Sequence, residues 1–322
     1  MAVRNKVKSD TILKNFWKDN ERFADLFNAY LFQGKKVIRS EDLTEVDTDI
    51  SSLIKLNGHV ETIQKIIDVV KRSANGVDYV ILGIENQSKI HYAMPLRHMV
   101  GDAFNYLKEF NEIAAKNIKQ KKYSSSDEFL SKFKRTDRLH PVVTLCIYYG
   151  EDEWDGPRSL IDMLNIPEEL NAIISDYKFN LLEIRKSEHL KFCNTDVDTV
   201  FNIIRFIYNK EYDKMNEIYK EQTISPELAI VIGAITETQK MIDDALRLEK
   251  EGGTMNMCKA LEELEEKGRL EGRKEGREEG KVEGAIAVYK KMNISKQDTL
   301  KNIVDDFAIE YKDAEEYIEK YW

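Results

Sequence analysis

Asp68-Val-Val-Lys-Arg-Ser-Ala-Asn-Gly-Val-Asp-Tyr-Val-Ile-Leu-Gly-Ile-Glu-Asn-Gln87 is the stretch that decides the architecture. Ile/Val-rich runs at 62–71 and 77–85 flank Ser73-Ala-Asn-Gly76, and Asn-Gly is a strong signal for a two-residue hairpin turn. With Asn75 and Gly76 as the turn, Asp68 faces Gly83. Side chains two apart on a strand share a face, so Glu85 and Gln87 project on the same side as Asp68. Asp68 and Glu85 are then diagonal neighbours with backbones roughly 7–8 Å apart. That spacing suits two carboxylates sharing one divalent cation, and Gly83 leaves room for it. The alternative is that both carboxylates end a hairpin and face solvent.

Outward from the hairpin, the apolar spacing of Phe16, Phe23, Leu26, Phe27, Tyr30 and Leu31 predicts one amphipathic helix over 13–33. A long helix follows Pro95 to about Lys116. Pro141–Gly150 and Phe179–Ile184 read as strands, and 195–208 and 226–250 as helices. Alternating helix, hairpin, helix and strand indicates an α/β domain over 1–245, followed by an all-α extension over 246–322.

The chain has 322 residues, 42% hydrophobic and 33% charged, enough to build a core under a solvated surface. A net charge of −9 argues against a protein that coats nucleic acid non-specifically, but leaves room for a local basic surface. The segment 116–138 is such a surface, with eight Lys/Arg against three Asp/Glu. Met1–Asp10 has no apolar run, and nowhere do about 18 apolar residues follow one another. Cys146, Cys193 and Cys258 are scattered, which suits a reducing cytoplasm and speaks against a disulfide framework or structural zinc. A cytoplasmic protein without a membrane span is expected.

Ile81–Arg97, preceded by Asp68-Val-Val-Lys71, resembles the Rpn family of recombination-promoting nucleases and transposase-like proteins. Asn20–Asn28 and Tyr148–Pro157 carry the same resemblance, which extends over roughly 10–245. It implies a PD-(D/E)XK nuclease-like core, a mixed sheet flanked by helices, and a bacterial DNA endonuclease dependent on Mg²⁺ (or Mn²⁺). By position the superfamily aspartate falls on Asp68 and the (D/E)-x-K motif on Glu85-Asn86-Gln87, so glutamine stands where lysine is usual. Gln87 can orient a water but brings no positive charge. Asp68, Glu85 and Gln87 are the implied catalytic residues. Asp68 and Glu85 are the implied metal ligands, with Asp25 (or Glu21) as an acidic contribution from the first helix.

For DNA, Arg97 reaches either a phosphate or Glu85, and Lys119, Lys121, Lys122, Lys134 and Arg135 either track a backbone or line a solvated loop. His91 and His98 are either a general base or simply exposed. Tyr148, Tyr149, Trp154 and Asp155-Gly-Pro157 read as packing and loop shape. A catalytically inactive fold serving as an oligomeric DNA- or protein-binding module is the competing reading, favoured by Gln87 and the acidic charge.

The extension repeats glycine at 268, 272, 276, 280 and 284, between an Arg/Lys row (269, 273, 277, 281) and a Glu row (271, 275, 279, 283). Either it is a charged linker, or it is a helix that a second copy approaches closely, making a homo-oligomer. Ile286, Tyr289, Met292, Ile303, Phe307, Tyr317 and Trp322 are the apolar positions expected to pack beyond it.

Overall fold

The computed structural model describes residues 9–45, 69–75 and 78–322. The chain divides into two compact units, Met1–Ala260 and Leu261–Trp322.

The first unit opens with α1 (Ser9–Lys18) and α2 (Asn20–Phe32), where the sequence reading expected one helix. Asp19 makes the break: extended, it takes the amides of Glu21 and Arg22 on its carboxylate at 2.9 Å each and starts a new helix. Both helices bury the same aromatic face, so the apolar period runs through the break unmarked; Phe16, Trp17, Phe23 and Phe27 are all buried.

Strands β1 (Leu43–Glu45), β2 (Val69–Asn75) and β3 (Asp78–Gln87) form an antiparallel meander. α3 (Met94–Gln120) then carries the chain to β4 (Val142–Tyr148), which pairs parallel with β3; β5 (Asn180–Glu183) pairs parallel with β4. The short α4 (Ser126–Ser131) lies between α3 and β4. Among the described residues this is one mixed five-stranded sheet, order β1-β2-β3-β4-β5. Helices α5 (Thr195–Tyr208), α6 (Tyr212–Tyr219), α7 (Pro226–Ile235) and α8 (Gln239–Glu251) follow, with β6 (Thr223–Ile224) paired to β7 (Met255–Asn256). The helix expected over 226–250 is thus two, parted where Thr236 turns its hydroxyl onto the Ile232 carbonyl at 2.8 Å and Glu237 takes a left-handed φ of 53°. Among the described residues no helix is long and apolar enough to cross a membrane.

The hairpin register departs from expectation. Asn75 pairs with Asp78, so it is a strand residue and not one of the turn pair, and Gly83 faces Val70 where the expected register gave it Asp68. Gly76-Val77 is itself a glycine-first hairpin signal. The two registers differ by two residues, an even slip that keeps every side chain on its face, so the apolar pattern cannot choose between them. Asp68 and the rest of the expected strand before Val69 lie outside the described residues.

The alternation sorts the sheet into two faces. Val69, Lys71, Ile84, Asn86, Leu145 and Ile147 lie on one; Val70, Gly83, Glu85, Gln87, Thr144, Cys146 and Tyr148 lie on the other. The first is met by α1 and α2. Lys71, 1% exposed, donates to the Lys18 carbonyl and to Asn20 Oδ1, both at 2.6 Å, with its ammonium 4.8 Å from the Phe23 ring centre. The second face is covered by α3.

Burial lowers the Lys71 pKa from 10.5 to about 8, against the pull of Asp19 and Glu45. The unfolded chain therefore holds a proton on Lys71 that the folded chain has released between those values, and folding stability from this residue rises with pH across that window. Fully expressed, the gain is on the order of 3 kcal/mol. Denaturant titrations near the two ends of the window should show this rise, and it should vanish in Lys71→Met. An unchanged rise in the variant would assign it to another group.

In the second unit, α9 (Met257–Lys291), α10 (Lys296–Phe307) and α11 (Tyr311–Tyr321) pack Val282, Ile286, Leu300, Ile303, Ala314 and Ile318 into a small core. Tyr289, Phe307, Tyr317 and Trp322 pack around it as expected. Met292 does not: it follows the end of α9 and is 65% exposed.

Candidate active site

Glu85 sits near the carboxyl end of β3, where the parallel part of the sheet opens, a common place for ligands in such sheets. A carboxylate enters the core only with partners, and α3 supplies them. Pro95 falls in its first turn, where its missing N–H costs nothing, and the next residues bring Arg97 Nη2 to 2.9 Å from Glu85 Oε1. Gln87, two residues on and on the same face, donates its amide to that oxygen at 3.1 Å. Glu85 is 1% exposed, while the Arg97 side chain is 36% exposed, so the cation bridges the buried acid and solvent. Of the two readings of Arg97, the described structure holds the Glu85 ion pair.

His98 Nε2 is 3.9 Å from the other Glu85 oxygen, Oε2. It is wholly buried, against Phe179, and burial together with Arg97 lowers its pKa to about 3, so the ring is neutral across ordinary pH. The expected choice between general base and exposed side chain fits His91, which is exposed, but not His98. One helical turn further, Asp102 accepts from Thr144 Oγ1 and Tyr177 Oη, both at 2.5 Å, and burial raises its pKa. Sequence reading passed over this file; its signal is the i, i+4 spacing of Met94, His98 and Asp102 on one helix face.

Behind Glu85, on the opposite face, Trp17 donates to Tyr149 Oη at 2.8 Å, and that hydroxyl donates to Asn86 Oδ1 at 3.1 Å. This chain fixes the strand whose next face carries Glu85 and Gln87. Tyr148, Tyr149 and Trp154 are buried, as their packing reading expected. Gly150 is required at its turn, because a Cβ there would run into the Tyr148 ring.

Asp25 stands elsewhere. Its carboxylate accepts the amides of Cys193 at 2.9 and 3.1 Å and Asn194 at 3.0 Å, fixing the entry to α5. It lines a cleft of about 540 Å³ with Glu21, Lys36 and Arg39. That cleft belongs to α2, on the sheet face carrying Lys71, whereas Glu85 points to the α3 face. The expectation of Asp25 as a metal ligand beside Glu85, with Glu21 as its alternative, is therefore corrected.

The donors around Glu85, a carboxylate and a primary amide, are hard oxygens of the kind divalent Mg²⁺ or Mn²⁺ takes. Among the described residues no cluster of three or more His, Cys, Asp or Glu could enclose a metal ion. The set fits a cation that takes its remaining ligands from water and a phosphate, as Mg²⁺ sites commonly do, rather than a closed protein cage. Asp68, the second expected carboxylate, lies outside the described residues.

The basic segment is built, not loose. Lys119 lies in the last turn of α3 and Lys121 ends it with a left-handed φ of 50°. Glu128 accepts the amides of Ser124 and Arg135 at 2.6 and 3.0 Å. Asp137 accepts from Asn117 and from the Lys134 amide at 2.6 and 2.8 Å. Lys119, Lys121, Lys122, Lys134 and Arg135 cluster at the far end of α3 from Arg97; the structure does not gather them around Glu85.

No curated protein and no solved structure matches the chain. The family model described as putative transposase, YhgA-like, matches residues 7–225, from just before α1 to the start of α7 and so across the whole sheet and the Glu85 site. With well over half its length matched, the chain belongs to the YhgA-like transposase family.

Proposed function

We propose that this protein is a DNA endonuclease of the PD-(D/E)XK type that hydrolyses phosphodiester bonds with Mg²⁺ or Mn²⁺, in recombination, mobile-element movement or defence. The observation that carries the reading is Glu85: a buried carboxylate at the end of a central strand, held by a solvent-reaching arginine and an in-register glutamine. The family supports a role on DNA. Asp68 is the second carboxylate, and the reading requires it to continue the β2 ladder onto the face of Glu85.

A divalent cation bound there would supply positive charge against the phosphoryl group and acidify a water. The chain's own residues do the rest. Glu85 anchors the cation. Gln87, freed from Glu85, offers its amide to the attacking water and fixes its direction without moving a proton. Arg97, already at the carboxylate and partly in solvent, turns onto the scissile phosphate, where a guanidinium can bind two oxygens.

Incubation of supercoiled plasmid with the full chain tests this. Nicked product should appear with Mg²⁺ or Mn²⁺ and disappear with chelator. The absence of metal-dependent cleavage of any DNA would instead favour the second reading, an inactive nuclease fold that binds DNA or protein. One observation speaks for that reading: Arg97 occupies a Glu85 oxygen at 2.9 Å, a cation already in place.

A further inference from the structure

We propose that α4 is a wedge for duplex DNA, with Phe129 and Leu130 entering a groove about one duplex turn from Glu85; the inference rests on the DNA reading above. Phe129 is 64% exposed and Leu130 75%, adjacent on a helix of six residues. Neighbouring large apolar side chains at such exposure contribute little to the fold. Their surroundings point to the partner. Lys119, Lys121, Lys122, Lys132 and Arg135 flank the tip, and among the described residues none of them is in a salt bridge. Glu128, by contrast, is spent on the amides of Ser124 and Arg135, and Asp137 on Asn117 and the Lys134 amide.

The tip is also pre-organised. Ser125 caps α4 by accepting the Glu128 amide at 3.2 Å, and Ser131 closes it onto the Asp127 carbonyl at 2.8 Å. Tyr123 meets Phe129 edge-on at 5.7 Å, and Phe133 stacks on Phe110 at 5.7 Å to root the excursion on α3. Apolar side chains held by these contacts beside cations that form no salt bridge among the described residues match the chemistry of proteins that insert wedges between base steps while lysines and arginines take the flanking phosphates.

The length of α3 fixes the geometry. From Arg97 to Lys119 the helix rises roughly 33 Å at about 1.5 Å per residue. One turn of B-form DNA advances about 34–36 Å. A duplex lying along α3 would therefore present the same backbone to Arg97 and to the tip one turn apart. The tip is then an anchor that sets where the hairpin cuts.

The test uses the full chain in chelator, with fluorescently labelled duplexes two turns and half a turn long, and 2-aminopurine placed at successive steps. The long duplex should bind well and the short one weakly, because only the long one spans both points. Insertion unstacks a step, so 2-aminopurine should brighten about one turn from the cut. Phe129→Ala/Leu130→Ala should lose the brightening and roughly tenfold in affinity, with the salt dependence unchanged because no charge is removed. Binding of the long duplex by the variant to within about twofold of the parent would overturn the wedge and leave the nuclease reading intact, since cleavage is scored separately at Glu85. A parent that binds no duplex would remove both. Retention on phosphatidylglycerol vesicles instead of DNA, lost in the variant, would assign the tip to a lipid surface and overturn the proposal.

Discussion

Glu85→Gln is expected to cut metal-dependent nicking by at least about a hundredfold while leaving the chain folded. Glutamine keeps the shape and the contact to Gln87 but removes the charge that would bind a cation, and with it several kcal/mol of phosphoryl charge compensation. Asp68→Asn should behave alike. The ion pair predicts an asymmetry between its partners. Glu85→Gln leaves Arg97, which is 36% exposed and can hydrate. Arg97→Ala removes the guanidinium 2.9 Å from a carboxylate that is 1% exposed, and removing one partner of such a pair is the costly direction. Arg97→Ala should therefore melt lower than Glu85→Gln. Added Mg²⁺ should raise the melting temperature of Arg97→Ala more than that of the parent, because the ion then takes the place of the guanidinium. Equal nicking by Glu85→Gln and the parent, with both folded, would remove the hairpin from the active site.

The hairpin shows what a sequence can and cannot carry. Alternation placed Glu85 and Gln87 on one face, and the structure joins them by a hydrogen bond. The same alternation was blind to the register, because a slip of two residues moves no side chain across the sheet. Periodicity was likewise blind at Asp19, where two helices share one buried face, although Asp followed by Asn-Glu-Arg is itself a capping signal. Asp25 misled for a different reason. An acid among Phe23, Leu26 and Phe27 must have a buried partner, but the partner is a pair of amides 168 and 169 positions away, which no local pattern announces. His98 and Asp102 could have been found: once α3 is granted, their spacing from Met94 puts them on its inner face. The far placement of Lys119 to Arg135 also follows from helix length alone, for a helix of 27 residues separates its ends by roughly 40 Å.

If the full chain dimerises along α9 of the C-terminal unit, replacing Gly272, Gly276 and Gly280 together with leucine should dissociate the pair. These glycines lie on α9, and a Cβ built on any of them, or on Gly284, meets nothing within 4 Å. Each glycine inside a helix costs roughly 0.5–1 kcal/mol relative to alanine. Among the described residues nothing within one copy packs on these glycines to offset that cost, whereas a second helix lying along the row could approach more closely than any side chain would allow. The charges offer less. Arg269 is tied to Glu266 at 2.6 Å within its own helix, and Glu279 to Lys320 at 2.7 Å and to Tyr321 at 2.6 Å, so those members of the Arg and Glu rows are already engaged. Exposed pairs of this kind contribute only about 0.2–1 kcal/mol and weaken in salt. Association should therefore survive moderate salt and respond to bulk. The triple alanine variant should gain helicity and melt higher as a single chain, and the triple leucine variant should gain helicity while losing self-association. Light scattering of the full chain, of a truncation after Ala260 and of the leucine variant separates the outcomes. If the full chain is monomeric at tens of micromolar, or if the leucine variant associates as strongly as the parent, the glycine row is a solvated stripe and a two-site enzyme would need another interface.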